Sequence, residues 1–285
     1  MKNNRSILIV IILIWSASSI LHAQVNSYTN QKIIKFLHSN GRYIARKDSI
    51  LRGFVNKPAG RWGEFVKGVK EKLITDKKIV ALTFDACGGG GKGNGYDSSL
   101  INYLQKEKVP ATLFVTGLWI DVNYKTLLKL AKDPLFEIEN HGLNHRPCSI
   151  KGDSIFGIKG TRNISAAYDE IEINAQKIHF ITGRRPKFFR SATAFTDEAS
   201  VNMAKKLGVS VVSYDVLSGD AIPETSSQTI VNNTMKHVVM GSIIIMHFNH
   251  PANNTCKALK IIIPKLRAEG YSFAKLEDYL LKGVR

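Results

Sequence analysis

The run Ile79-Val80-Ala81-Leu82-Thr83-Phe84-Asp85-Ala86-Cys87-Gly88-Gly89 decides the fold of this chain. Its apolar residues predict a buried strand, and the glycines predict that a loop follows. Such a strand delivers Asp85 to its carboxyl end, where barrels and open α/β sheets hold their chemistry. We therefore expect Asp85 at a functional edge. The structural alternative is a strand-ending aspartate that only caps the next turn.

Strand-like and helix-like segments alternate outward from this run, starting at Lys77. The alternation predicts an α/β protein with a mainly parallel sheet, and about six or seven units favour a distorted or incomplete (β/α) barrel. The predicted strands cover residues 79–84, 111–115, 137–140, 188–190, 209–214 and 242–246. The predicted helices cover residues 98–107, 124–132, 165–182, 198–207, 228–235 and 258–269.

The chain upstream of this pattern divides into two parts. Residues 1–23 place Lys2 and Arg5 before an apolar run and end in small residues, which predicts a secretory signal peptide cleaved after Ala23. An uncleaved anchor is the alternative, but the run is shorter than the roughly 20 residues of a membrane span. Residues 24–76 form a basic segment in which we expect helices at 31–37 and 62–73. Residues 77–285 are then the catalytic domain of a secreted or periplasmic protein without a stable membrane span.

Charge and cysteine content narrow the class of partner. The chain has 40 Lys and Arg against 23 Asp and Glu, a formal net charge of +17. For an exported protein this favours anionic envelope polymers, unless it only keeps the surface soluble. We expect no nucleic acid, because no binding motif is found and the lysines are spread along the chain. The odd number of cysteines (Cys87, Cys148 and Cys256) argues against a disulfide framework.

A histidine pair indicates a metal site. His141 and His145 are four residues apart, a usual separation for two ligands of one ion, and neutral imidazole is a common zinc ligand. Gly142 and Pro147 make a regular helix doubtful, so we expect the pair on a loop. A structural or surface pair is the alternative.

Three further polar residues are candidates for the site, with Asp220 in the stretch Ser218-Gly219-Asp220. His247 ends the strand 242–246 and is a candidate general acid. Arg190 is a candidate to hold Asp85 ionised, and Asp220 is a candidate to orient a histidine. Taken singly, each also fits a structural role, as a buried histidine, a surface arginine or a turn aspartate.

Together and in this order, the segments resemble the polysaccharide deacetylase family, also called NodB homology or carbohydrate esterase family 4. The resemblance covers roughly residues 77–280 and implies a distorted (β/α) barrel with a divalent metal, often zinc. It implies that Asp85 is the catalytic base and His247 the catalytic acid. It also implies that Arg190 positions Asp85 and that Asp220 tunes His247, with His141 and His145 as metal ligands. The matching stretches are Thr83-Phe84-Asp85, His141 to His145, Phe189-Arg190, the surroundings of Asp220, and Ile245-Met246-His247.

The chain departs from the family pattern at three places. A second aspartate usually follows the base as a metal ligand, but Ala86 stands there. Cys87 is a candidate replacement because thiolates bind zinc well, and Asp85, Asp97 or water are the alternatives. The usual proline after Arg190 and the usual tryptophan after Asp220 are also missing.

The resulting hypothesis is an exported, metal-dependent hydrolase that removes N- or O-linked acetyl groups from a polysaccharide, with acetylated glycan or peptidoglycan as its partner. One alternative is a glycan-binding protein that kept the fold and lost catalysis, which Ala86 motivates. Another is a metal-dependent amidase that acts on a small molecule.

Overall fold

A computed structural model describes residues 28–284 of the chain. The predicted signal peptide at residues 1–23 lies outside this range. The helices are α1 (Asn30–Ser39), α2 (Gly41–Arg52), α3 (Ser98–Lys106), α4 (Gly117–Ala131), α5 (Ile164–Thr182), α6 (Glu198–Lys206), α7 (Ser227–His237) and α8 (Thr255–Ala268). The strands are β1 (Trp62–Gly63), β2 (Lys70–Leu73), β3 (Ile79–Ala86), β4 (Ala111–Val115), β5 (Phe136–Asn140), β6 (Ser154–Ile155), β7 (Ile158–Lys159), β8 (Phe188–Phe189), β9 (Thr196–Asp197), β10 (Ser210–Val211), β11 (Val216–Leu217), β12 (Ile243–His247), β13 (Ser272–Ala274) and β14 (Leu281–Gly283).

The main sheet is parallel throughout, in the order β10-β8-β5-β4-β3-β12-β11, with β13 also paired to β3. The sheet curls into a half-barrel. Strand β2 contacts the chain just after β10, at one edge of the sheet, and just before β12, near the other edge. The Ser213 amide donates to the Lys70 carbonyl at 2.7 Å, and the Leu73 amide donates to the Gly241 carbonyl at 2.8 Å. The expected distorted or incomplete (β/α) barrel is confirmed.

The pleat of β3 explains where Asp85 points. Val80, Leu82 and Phe84 pack into the cluster formed with the outer helices. Ile79 and Ala81 pack into the cluster inside the half-barrel, with Phe114 and Ile243. Because side chains alternate along a strand, Thr83 and Asp85 share the inner face. All eight residues of β3 are buried, as expected for a parallel strand covered on both sides.

The basic segment packs on the rest of the chain. Ile33 and Leu37 of α1 and Tyr43 of α2 join Tyr168 and Ile171 of α5 in one buried cluster. The helix predicted at 31–37 is confirmed within α1. The division of the chain at residues 76 and 77 stays a prediction.

The helix predicted at 62–73 is wrong. This stretch forms β1, which pairs antiparallel with β9, and β2, which pairs antiparallel with β14. Both partners lie far away in sequence, so the local pattern gave no sign of them.

None of the helices between residues 28 and 284 has the length and apolar composition needed to span a membrane.

Candidate active site

Four of the sequence-predicted residues meet at the carboxyl edge of the sheet. Asp85 lies near the end of β3 and His247 ends β12, and the strand register places them opposite each other. His141 follows β5 directly, and Arg190 follows β8. Because parallel strands end at the same edge, four separate motifs converge on one site.

Asp85 and Arg190 form a buried ion pair. Arg190 Nη1 donates to Asp85 Oδ1 at 2.8 Å and to Thr83 Oγ1 at 2.9 Å, and Nη2 donates to the Ser213 carbonyl at 2.8 Å. The guanidinium carbon also lies 4.3 Å from the centre of the Phe114 ring. Arg190 is completely buried, so its charge fixes and stabilises the carboxylate of Asp85.

A backbone carbonyl orients His141. Its Nδ1 lies 2.8 Å from the Arg190 carbonyl oxygen, which has no proton and only accepts, so Nδ1 carries the hydrogen. The lone pair is then on Nε2, which lies 3.6 Å from Asp85 Oδ2 and 3.9 Å from Cys87 Sγ. This arrangement prepares a histidine to bind a metal.

Cys87 joins the histidine pair. Its Sγ and one nitrogen from each of His141 and His145 all lie within 4.8 Å of one another. One thiolate and two imidazoles are a donor set that suits zinc, so the residues present fit the divalent ion that the family resemblance implies. Asp97 is not part of this group, since it caps α3 by accepting the Leu100 amide at 3.0 Å.

Charge within the group favours a thiolate. Burial raises the pKa of Cys87, but His145, His141 and His247 together hold it well below its ordinary value. Burial lowers the pKa of His145, but Cys87 and Asp85 outweigh burial, so the pKa of His145 lies above its ordinary value. Each partner thus favours the charged form of the other.

His247 is held by Asp220. Asp220 Oδ1 lies 3.0 Å from His247 Nδ1, and Oδ2 accepts the His247 amide at 2.7 Å and Thr255 Oγ1 at 2.9 Å. Burial lowers the pKa of His247, but the Asp220 carboxylate raises it well above its usual value overall. This combination favours a protonated imidazole, which is able to give a proton.

A buried glutamate positions the loop that carries His145. Glu170 of α5 accepts the backbone amides of Asn144 and Arg146 at 2.9 and 3.0 Å through Oε1. Gly142 has a φ of 90°, and a Cβ there would lie 2.5 Å from the same oxygen. Only glycine fits this turn.

Sequence reasoning missed the residues that support the site. Glu170, Ser213 and Thr255 carry no motif, and their only signal is three-dimensional. Thr83 was detectable in principle, because it lies two residues before Asp85 and so on the same strand face. Thr193 and Ala194, just after Arg190, have left-handed φ values of 59° and 62°, a strain that clusters at functional sites.

The chain matches the model of a known protein family. The family model described as polysaccharide deacetylase matches residues 72–212. The chain belongs to the polysaccharide deacetylase family, a family of hydrolases. The matched range includes Asp85, Cys87, His141, His145 and Arg190, while Asp220 and His247 lie beyond it.

Two curated relatives are similar over most of the chain. A peptidoglycan-N-acetylglucosamine deacetylase of Bacillus cereus is 26% identical over 213 residues, which are 73% of this chain and 91% of that protein. The uncharacterized protein YlxY of Bacillus subtilis is 27% identical over 207 residues, or 72% of this chain. The chain spans only 58% of the length of YlxY.

A solved structure shows the same fold. It is a mutant of a carbohydrate esterase family 4 pseudoenzyme from Bacillus anthracis, in which enzymatic activity has been restored. The mutant is 22% identical to this chain with a TM-score of 0.61, over 72% of this chain and 68% of its own.

Proposed function

We propose that this polysaccharide deacetylase family member is an exported, metal-dependent hydrolase that removes acetyl groups from peptidoglycan or a related glycan. One observation carries the proposal. An arginine-held carboxylate, Asp85, and an aspartate-held imidazole, His247, lie opposite each other at one sheet edge, beside a zinc-type donor set. The proposed base, acid and metal ligands can therefore act together on one acetyl linkage.

Cys87, His141 and His145 are the residues that would hold the ion, most favourably zinc. When bound, a divalent cation supplies Lewis acidity, which polarises the acetyl carbonyl. Cys87 takes the part that the family usually gives to a second aspartate, because Ala86 has no donor atom. Its sulfur supports a preference for a soft cation over magnesium or calcium.

Asp85 acts as the base. Its Oδ1 accepts from Arg190, which holds the side chain in place, and its Oδ2 faces the His141 side of the site. This oxygen takes a proton from the water that attacks the acetyl carbon. General base catalysis of this kind contributes typically about 10²- to 10⁴-fold in rate.

His247 acts as the acid. Asp220 accepts from Nδ1 and thereby leaves the protonated Nε2 as the donor toward the substrate. That proton passes to the leaving amine or alkoxide when the bond to the acetyl carbon breaks. The two catalytic groups thus handle the two proton transfers that the hydrolysis requires.

Cellular location belongs to the same proposal. The N-terminal 23 residues read as a signal peptide, so the mature chain would start at Gln24 and act outside the cytoplasm. Glycan as the substrate class is supported by the Bacillus cereus relative, which is named for peptidoglycan.

A glycan-binding protein without activity is the second candidate. Ala86 favours it, because a usual metal ligand is lost there, and the structural neighbour from Bacillus anthracis is a pseudoenzyme before mutation. Under this alternative the fold would bind glycan, retain no zinc and release no acetate.

Acetate release by residues 24–285 tests the proposal. The substrates are acetylated chito-oligosaccharides, peptidoglycan and acetylated xylan, and the variants are Asp85→Asn and Asp76→Asn. Asp76 is an exposed aspartate, so its variant is a matched control. We expect release by the wild type and by Asp76→Asn, and its loss in Asp85→Asn. Binding to these glycans with no acetate released from any of them would favour the inactive binder.

A further inference from the structure

Five aromatic side chains form a rim beside the candidate active site. Trp62 lies 5.8 Å from Phe195 between ring centres, and Phe195 lies 6.1 Å from Phe156. Phe65, three residues after Trp62, lies 5.5 Å from Tyr214 in an edge-to-face contact. We call Trp62, Phe65, Phe156, Phe195 and Tyr214 the aromatic rim.

The rim lies at the same edge of the sheet as the catalytic groups. Phe156, Phe195 and Tyr214 stand in the connections that leave the carboxyl ends of β5, β8 and β10. Trp62 is brought there by β1, whose register pairs Trp62 with Asp197. Topology alone therefore places the rim on the functional face.

Two members of the rim belong to the loops that carry Arg190 and its acceptor Ser213. Phe195 follows Arg190 by five residues, across the strained turn at Thr193 and Ala194. Tyr214 follows Ser213, whose carbonyl accepts Arg190 Nη2 at 2.8 Å. The segment from Trp62 to Phe65 contacts both Phe195 and Tyr214, so the rim borders the loops that carry Arg190 and Ser213.

Part of the rim faces solvent. Phe156 is 75% exposed at the tip of the β6–β7 hairpin, and Phe65 is 41% exposed. Single exposed apolar residues are ordinary, but each of these two rings packs on a second ring of the rim beside the candidate site: Phe156 on Phe195, and Phe65 on Tyr214. Glu64 lies within the same stretch and accepts the Tyr214 hydroxyl at 2.6 Å, so polar and apolar groups alternate along it.

We propose that the aromatic rim binds the pyranose rings of a linear glycan that continues from the sugar being deacetylated. This deepens the proposed function and rests on it. Pyranose rings present apolar C–H faces bordered by hydroxyl groups, and aromatic rings with neighbouring polar atoms complement both features. Trp62 and Phe65 lie outside residues 72–212, the part of the chain that matches the family model. The basic segment thereby has a role in choosing long substrates.

Chain-length preference tests the rim. The measurement is the ratio of kcat/KM on a pentamer of N-acetylglucosamine to that on the dimer, with zinc-loaded wild type, Phe156→Ala and Trp62→Ala. Loss of one stacking contact should reduce this ratio by up to about tenfold in each variant. Phe36→Ala is the control, because Phe36 is 53% exposed on α1 and away from the rim. An unchanged ratio in both rim variants, with thermal midpoints like that of the wild type, would overturn the proposal.

A second readout does not depend on turnover. Each protein is sedimented with insoluble peptidoglycan, chitin or xylan, and the bound fraction is measured. Wild type that binds and Phe156→Ala that binds less support the rim, even if no acetate is ever released and the proposed activity fails. Equal binding of wild type and both rim variants would overturn the rim, even if acetate release is normal. The three polymers show which glycan the rim prefers.

Discussion

The Asp85–Arg190 pair dominates the site at the scale of single residues. Both side chains are buried, and Arg190 has further acceptors in Thr83 and Ser213. Burying two charges costs folding free energy, but removing only one of them costs more, because the remaining charge is then buried without a partner. The stability of the protein therefore depends on the same contacts that hold Asp85, the proposed base, in place.

Truncating Asp85 should destabilise the fold more than neutralising it. Asp85→Ala leaves the guanidinium of Arg190 without its charged acceptor, and we expect a loss of about 3–5 kcal/mol in the free energy of unfolding. Asp85→Asn keeps an acceptor oxygen in place and should lose less. Urea unfolding of both variants measures the difference. Equal losses would contradict the role given to the Asp85–Arg190 contact.

Cys87 should decide zinc affinity. Cys87→Ala removes one of three clustered donors, and we expect zinc affinity to fall by at least about 100-fold, since even outer partners of ligands are worth 10- to 100-fold. Cys256→Ala is the matched control, because Cys256 lies in α8 and outside the cluster. Competition with a zinc-binding dye measures the constants. If both variants bind zinc equally well, the ion is held by other groups.

Glu277 should contribute stability that disappears in acid. Burial raises its pKa, but Lys187, Lys275 and Arg184 outweigh this and lower it to about 2. A carboxyl with a folded-state pKa below its ordinary value stabilises the fold above that ordinary value. This contribution is lost as the pH falls from about 4.5 to about 2.

The variant Glu277→Gln isolates this effect. Its thermal midpoint should lie below that of the wild type at pH 6, and the two should converge near pH 2. High salt should shrink the gap at pH 6, because Lys187 and Arg184 are largely exposed. A gap that stays constant from pH 6 to pH 2 would rule out the ion pairs as its source.

At the scale of elements, apolar runs were enough to predict the main sheet. The predictions for β3, β4, β5 and β12 fall within two residues of the observed ends, because each strand is a short buried run bounded by loop residues. The prediction at 124–132 found only the second half of α4. That helix starts after Thr116, which accepts the Trp119 amide through its side chain, and it has a non-helical residue at Asn123.

Missed elements have a common physical cause. Helix α2 has Tyr43 as its single fully buried residue, so few of its residues are marked as core by their type. Strands β1 and β2 depend on partners far away in sequence. The residues of the candidate site likewise fall into a group that sequence motifs predict and a group that they do not. Residues at strand ends were predictable from motifs, whereas Glu170, Ser213 and Thr255 act only through contacts that folding creates.

A buried lysine ties α1 to the rest of the protein. Lys177 of α5 donates to Asn30 Oδ1 at 2.7 Å and to the Gly117 carbonyl at 2.9 Å, and it also contacts Asp121. The Asn30 amide donates to the same Asp121 carboxylate at 3.1 Å. Burial lowers the pKa of Lys177 to about 8, although Asp121 opposes the shift.

Lys177→Met should loosen the N-terminal helices. It leaves the carboxylate of Asp121 and the amide oxygen of Asn30 without their buried cation, so we expect faster cleavage within residues 28–52 by limited proteolysis with chymotrypsin. Lys125→Met, an exposed change on α4, is the control. Cleavage at the wild-type rate in Lys177→Met would show that the apolar contacts alone hold α1 and α2.

At the scale of the whole molecule, the excess of positive charge, which is +17 over all 285 residues, should act on anionic polymers. We expect binding to peptidoglycan to weaken as sodium chloride rises from about 0.05 to 0.5 M, because screening shortens the reach of surface charges. Binding to neutral chitin should change little, since stacking on the aromatic rim does not depend on charge. A similar response of both polymers to salt would contradict a role for the net charge in substrate choice.

The most direct test of the central claim is acetate release from peptidoglycan by one preparation in three states: as purified, after chelation, and after zinc is restored. A site built from Cys87, His141 and His145 around the Asp85 base predicts release that is lost on chelation and recovered with zinc. Release that continues at the full rate in metal-free protein would contradict the account. Zinc-loaded protein that releases no acetate from any acetylated glycan would contradict it as well.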